Sequence, residues 1–202
     1  MKVMNVIFDI GNVLLSFQPK EYLRSLGLSD EEVELYNRIV FRSKVWVDLD
    51  RGVIDEGEAV AQLTAIYSQY AWGIERVFAD WYAMFIPLEG VKFLPKLKGV
   101  GYRLYALSNF HREAFRHVRN KHDWFDLFDG MVISYEVHAV KPEPEIYQVL
   151  IDRYGINPWE SVFIDDVKEN IDGARDFGFH TIHHTSFEKT VGELRKFVGL
   201  GS

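Results

Sequence analysis

Short apolar runs alternate with helix-length amphipathic stretches over two parts of the chain. Residues 3–7, 103–107, 130–134, 161–164 and 180–183 are apolar and too short for stable helices, so each predicts a strand. Between the later runs, residues 113–121, 143–154 and 170–177 carry the helical repeat, and Gly155 and Gly178 stand where helix stops belong. Strands alternating with helices predict an α/β fold with a Rossmann-like parallel sheet.

Residues 19–85 read differently. No convincing strand occurs there, and helical patterns begin at caps such as Ser29, followed by Asp30, Glu31 and Glu32. Trp46, Trp72, Trp81 and many other aromatics lie between Trp46 and Phe85, which predicts the private core of a small helical bundle. The pattern changes near residues 17 and 88. This divides the chain into a core of residues 1–16 and 88–202 and a helical insert of residues 17–87. The opening apolar run after Lys2 is interrupted by Asn5 and Asp9 and lacks a small-residue cleavage site, so a buried strand is expected and not a secretory signal. No 18 apolar residues occur in succession, and no membrane span is expected.

With 202 residues, 48% of them hydrophobic, the chain can bury a substantial core. Its 23 lysines and arginines against 30 aspartates and glutamates give a net charge of −7, which argues against nucleic acid as a partner. The absence of cysteine excludes disulfides, thiolate metal sites and thiol nucleophiles, and it fits a reducing compartment, the cytoplasm being expected.

In open parallel sheets, ligands bind beyond the carboxyl ends of the strands. Here the first strand runs into Phe8-Asp9-Ile10-Gly11-Asn12-Val13 and the second into Leu107-Ser108-Asn109; the third leads to Lys141-Pro142, and the fourth ends in Asp165-Asp166. Taken singly, each has a plain structural reading: Ser108-Asn109 as a helix cap, Lys141 as a solvated charge, the acidic pair as a helix start. As an ordered set they resemble the haloacid dehalogenase superfamily over nearly the whole chain. Residues 6–14, Leu107-Ser108-Asn109, residues 141–147 and residues 162–166 look closest to its sugar-phosphate phosphatases and the phosphatase domain of soluble epoxide hydrolase.

That resemblance implies a Mg2+-dependent phosphatase acting on a small-molecule phosphate ester, a sugar phosphate foremost, as a monomer or a weak homodimer. Asp9 would be the nucleophile and a metal ligand, and the Gly11 carbonyl a second ligand. Asp166 would be the acidic ligand, with Asp165 behind it and the two able to exchange roles. Ser108 and the Asn109 amide would bind the phosphoryl group, and Lys141 would neutralise charge beside Asp9. The insert is similar to the family's helical cap, in which residues 45–58, with Trp46, Asp48 and Asp50, are candidates for substrate selection, core packing and a solvated turn being the plain alternatives.

One position departs from the pattern. Most phosphatases of this superfamily carry a second aspartate two residues after the nucleophile, as general acid and base, where this chain has Gly11. Two alternatives therefore stay open: a 2-haloacid dehalogenase-type hydrolase, and a non-catalytic member that binds phosphorylated ligands. Paired carboxylates beside Asp9 favour the phosphatase, because they repel unless a cation lies among them. Among the histidines, His180, His183 and His184 lie close together, but alternation along a strand points His183 and His184 to opposite faces, so they cannot readily share one metal, and His138 reads as loop. His111 alone falls near the expected pocket, where it is a candidate for substrate contact or for supplying the missing proton.

Overall fold

The computed structural model describes residues 3–198, so Lys2 and the tail at 199–202 of the expected core lie outside the described residues. Five parallel strands, β1 (Asn5–Phe8), β2 (Arg103–Ser108), β3 (Gly130–Ile133), β4 (Ser161–Asp165) and β5 (His180–His183), form one sheet in the order β3-β2-β1-β4-β5. Pairing starts at Asn5, opposite both Arg103 and Ser161, so β1 begins two residues later than its apolar run. Between β1 and β2 lie α1 (Pro19–Ser25), α2 (Asp30–Tyr36), α3 (Lys44–Asp50), α4 (Glu56–Ile66), α5 (Ala71–Ala79) and α6 (Leu94–Gly99). α7 (Arg112–Lys121) joins β2 to β3, α8 (Ser134–Val137) and α9 (Pro144–Tyr154) join β3 to β4, and α10 (Lys168–Asp176) joins β4 to β5. α11 (Phe187–Leu194) follows β5; it, α6 and α8 have no counterpart in the periodicity reading.

Local signals account for the boundaries. Ser29 accepts from the Glu32 amide while Glu32 returns to the Ser29 amide, a complete capping box, and Asp55 with Glu58 repeats it on α4. Gly155 ends α9 in the left-handed region at φ 59°. Along β1, Val6 and Phe8 face a layer built on Leu94, Leu97 and Leu194, while Ile7 faces Ile146, Leu150, Ile171 and Ala174. The two-residue period of the strand thus feeds a helical layer on each side of the sheet.

The aromatics of residues 46–85 do not form a private core. Trp46, Leu63, Ile74 and Trp81 share one continuous buried cluster with Ile10, Ala106, Phe110, Phe115 and Ile133, because the helices between β1 and β2 bury their apolar faces against the sheet end as well as against each other. The segment leaves and rejoins the sheet side through paired backbone: Ser16 donates to the Ile86 carbonyl and Leu88 to the Leu14 carbonyl. Farther along, Arg51 makes a two-pronged ion pair with Glu143 at 2.7 and 2.6 Å, and the Ser134 hydroxyl donates to the Asp50 carbonyl at 2.5 Å. Among the described residues no helix is long and apolar enough to cross a membrane.

The edge of the sheet offers a direct test of packing. A Cβ added at Gly130 would stand 2.3 Å from the Tyr154 ring, whose hydroxyl is held by the Met131 amide and carbonyl at 2.9 and 2.8 Å, so the ring cannot swing aside. Gly130→Ala should cost about 1–3 kcal/mol of stability through overpacking. A urea unfolding midpoint lowered without a change in slope is the expected measurement.

Candidate active site

The parallel sheet delivers the predicted residues to one point. Asp9 directly follows β1, Ser108 ends β2, and Asp165 and Asp166 stand at the end of β4, the two strands that flank β1. The strand order reverses at β1, where connections diverge and a cleft opens. The Asp9 amide donates to the Ile164 carbonyl at 2.8 Å, which fixes its backbone against β4. A single cavity is lined by Asp9, Gly11, Ser108, Asn109, Lys141 and Asp166, together with Trp46, Asp50, Trp81 and His111 from the far wall.

Three donors converge on Asp9 Oδ1: the Ser108 hydroxyl at 2.6 Å, the Ile10 amide at 2.7 Å and the Lys141 ammonium at 3.0 Å. Lys141, 4% exposed, also lies 2.6 Å from Asp165 Oδ2. The other Asp165 oxygen accepts from the Val167 amide at 2.8 Å, and Asn170 donates to both oxygens at 3.1 Å. Asp165 is therefore saturated by protein donors, whereas Asp166 lines the cavity and accepts from Asn12 at 3.0 Å. Asn109 spends its side chain on the Lys141 backbone, donating to its carbonyl at 3.1 Å and accepting from its amide at 2.8 Å. Its amide group thus positions the loop that carries the lysine.

Charge does not balance here. Asp9, Asp165 and Asp166 bring ligand oxygens within 4.8 Å of one another, and one ammonium faces them. Burial pushes the Asp9 carboxyl up to about 7, with Asp165 and Asp166 adding to the rise and Lys141 opposing it. Burial raises Asp166 as well. Burial works against the Lys141 ammonium, but Asp165 and Asp9 outweigh it and hold the lysine charged. A divalent cation beside Asp9 and Asp166 would offset the remaining negative charge, and the all-oxygen donor set fits a hard ion of that kind.

The far wall was only partly visible in the sequence. His111, 1% exposed, is wedged between Trp46 and Trp81, with Nε2 2.9 Å from Glu56 Oε1 and Nδ1 3.6 Å from Asp50 Oδ1. Burial disfavours its charged form, yet Asp50 and Glu56 hold its pKa above the usual histidine value. Glu56 escaped the sequence reading; it opens α4 as an acidic residue of the first turn, and nothing in its neighbourhood announces a contact 55 residues away. Asp48 pairs instead with Lys44 on the helix surface. Four other histidines spend a ring nitrogen away from the cavity: His180 contacts the Trp159 carbonyl, His183 the Asp166 carbonyl, His184 the Thr190 hydroxyl and His138 the Arg51 carbonyl.

Comparison with known proteins agrees with this geometry. Residues 3–178 match the family model of haloacid dehalogenase-like hydrolases. A sesquiterpene phosphatase of Aspergillus oryzae is 29% identical over 96% of this chain and 95% of its own length. The D-ribitol-5-phosphate phosphatase of Bacteroides thetaiotaomicron is 24% identical over 89% of this chain and 90% of its own. Among solved structures, a HAD family enzyme of B. thetaiotaomicron in complex with magnesium and inorganic phosphate superposes with a TM-score of 0.72, at 24% identity over 92% of this chain and 96% of that one. On these grounds the chain belongs to the haloacid dehalogenase-like hydrolases.

Proposed function

We propose that this chain is a magnesium-dependent phosphatase of a small phosphate monoester, working through an aspartyl-phosphate on Asp9. The observation that carries the reading is the cluster of Asp9, Asp165 and Asp166 about the buried Lys141, open to the cavity on the Asp9 and Asp166 side. Donors fixed on Asp9 Oδ1 set the rotation of the carboxylate before substrate arrives. An Asp9 oxygen then forms a bond to phosphorus as the bond to the alcohol oxygen breaks and the alcohol departs. Water next attacks phosphorus, releasing inorganic phosphate and restoring the Asp9 carboxylate. Ser108, the Asn109 amide and Lys141 supply donors and positive charge for the phosphoryl oxygens. Magnesium, held by Asp9, Asp166 and the Gly11 carbonyl, would supply the charge that lets the two anions approach. Asp165 then serves to hold Lys141, and the helices of residues 17–87 serve as the cap.

Two classes of organic group suit the cavity. A sugar or polyol phosphate would place its hydroxyls against Asp50 and Asn12, and the ribitol-phosphate relative favours it. The wall of Phe17, Trp46, Trp81, Phe85 and Phe110 is the specific observation for an apolar alcohol, in keeping with the sesquiterpene phosphatase relative. A dehalogenase needs no cation and gains nothing from three clustered carboxylates, and a non-catalytic binder needs no rigidly oriented nucleophile.

Phosphate release should appear with magnesium, vanish with EDTA and vanish in Asp9→Asn, while a 2-haloacid yields no chloride; chloride release indifferent to EDTA would reverse the assignment. Comparing kcat/KM for sugar phosphates and prenyl monophosphates decides the organic group. Magnesium at a hundredfold over its Kd should add about 2.7 kcal/mol of stability by mass action, seen as a raised Tm. Asp166→Asn should abolish most of that shift, and a full shift in the variant would remove Asp166 from the metal site.

A further inference from the structure

Glycine at position 11 leaves the proton traffic of phosphate-ester cleavage without an owner. Apart from its chain neighbours, no atom lies within 4 Å of where a Cβ at Gly11 would stand, so no other side chain has moved in to replace the missing carboxyl there. A donor must come from another wall of the cavity, and the lining names few candidates. Lys141 is committed to Asp9 and Asp165, and the Asn109 side chain to the Lys141 backbone.

We propose that His111, oriented by Glu56, is the general acid and base of this enzyme. The inference rests on the reading of Asp9 as phosphoryl acceptor. Glu56 Oε1 accepts from the Trp81 indole at 3.1 Å and the Tyr82 hydroxyl at 2.6 Å, so the carboxylate that holds His111 Nε2 at 2.9 Å is itself anchored. Trp46 packs edge-on to the imidazole with centroids 5.7 Å apart, and Trp81 lies tilted against it at 4.8 Å. The ring has one orientation, as a proton donor needs.

The two nitrogens differ. Nε2 is fully engaged, whereas Nδ1 has only the 3.6 Å approach of Asp50 Oδ1, too long for a good hydrogen bond, and Asp50 and His111 both line the cavity. Nδ1 is the atom with a proton to give. The charged groups facing the ring are Asp50 from α3 and Glu56 from α4, and both favour the imidazolium. The same carboxylates repel phosphoryl oxygens, so the phosphate sits at the Ser108 and Lys141 end and the alcohol end meets His111. In the first step the Nδ1 proton passes to the alcohol oxygen as its bond to phosphorus breaks. In the second, neutral His111 takes a proton from the water that attacks phosphorus, as the bond from phosphorus to Asp9 breaks.

The test compares two esters on the full-length enzyme with magnesium: an alkyl phosphate, whose alkoxide needs a proton, and 2,4-dinitrophenyl phosphate, whose phenolate does not. His111→Gln should lower kcat for the alkyl ester about 10²- to 10⁴-fold. The first step on the dinitrophenyl ester should fall less than tenfold and show a burst of phenolate, with phosphoenzyme accumulating because water is no longer activated. Glu56→Gln should keep the imidazole but lower its pKa, so the loss of alkyl-ester kcat/KM with rising pH moves to lower pH. Equal losses in the first step on both esters, or an unmoved pH limb, would overturn the assignment and leave His111 to packing. Asp9→Asn probes the underlying reading separately: dinitrophenyl turnover surviving that change removes the nucleophile itself, whatever His111 does.

Discussion

Everything at the sheet end is arranged around a buried ammonium. Lys141 reaches Asp9 at 3.0 Å and Asp165 at 2.6 Å, and Asp165 is fully buried. Carboxylates taken out of water are costly unless they are paired and hydrogen-bonded, so every element that supplies one must converge on the lysine. β1 and β4 bring the acids, β2 brings Ser108, and the loop before α9 brings the lysine. Asn109 fastens that loop through two hydrogen bonds to its backbone. Lys141 answers for only part of the negative charge, and the remainder on the Asp9 and Asp166 side is what a bound cation would offset.

The opposite wall has inverse electrostatics. There a single imidazole lies between two carboxylates, and the two sides of the contact come from different parts of the chain. His111 follows β2, while Asp50 and Glu56 belong to the helices inserted between β1 and β2. The contact therefore exists only when those helices sit on the sheet as they do here. Arg51 with Glu143, and Ser134 with the Asp50 carbonyl, hold the same joint a few residues away. The aromatic cluster that includes Trp46, Trp81, Phe85 and Phe110 lines the space between the walls with apolar surface.

Much of this was legible in the residues themselves, for identifiable reasons. A buried parallel strand must be apolar, and its carboxyl end must turn polar where a ligand binds, so Asp9, Ser108 and Asp165-Asp166 stand out at the ends of β1, β2 and β4. Lys141 carried no such local mark and was found through the order of the set. Strand limits shifted by a residue or two because pairing partners decide them: Val3 is as apolar as Val6 but lies outside the ladder. The supposed private core failed because apolar periodicity records that a face is buried and not what it is buried against. Glu56 was unreadable for the same reason. Its sequence neighbours explain a capping box, while its partners Trp81, Tyr82 and His111 are assembled only by folding.

Glycine at position 11 is not forced by the backbone or by crowding. Its φ is not in the left-handed region, unlike that of Asn12 at 53°, and a side chain there would meet open space. Asn12 does the structural work of the turn, accepting from the Phe17 amide at 2.9 Å and donating to Asp166 at 3.0 Å. An aspartate at 11 would instead add a fourth carboxylate beside Asp9, which burial, with Asp165 and Asp166 adding to it, already pushes up to about 7. Its titration would then be tied to that of the nucleophile and of the metal site. A donor held by carboxylates of its own, across the cavity, changes protonation independently of that cluster. On the proposed reading, separating the two charge centres leaves Asp9 to act as nucleophile while the far wall keeps a proton for the leaving alcohol, a division of acid and base that two carboxylates in one pocket achieve only through strongly opposed environments.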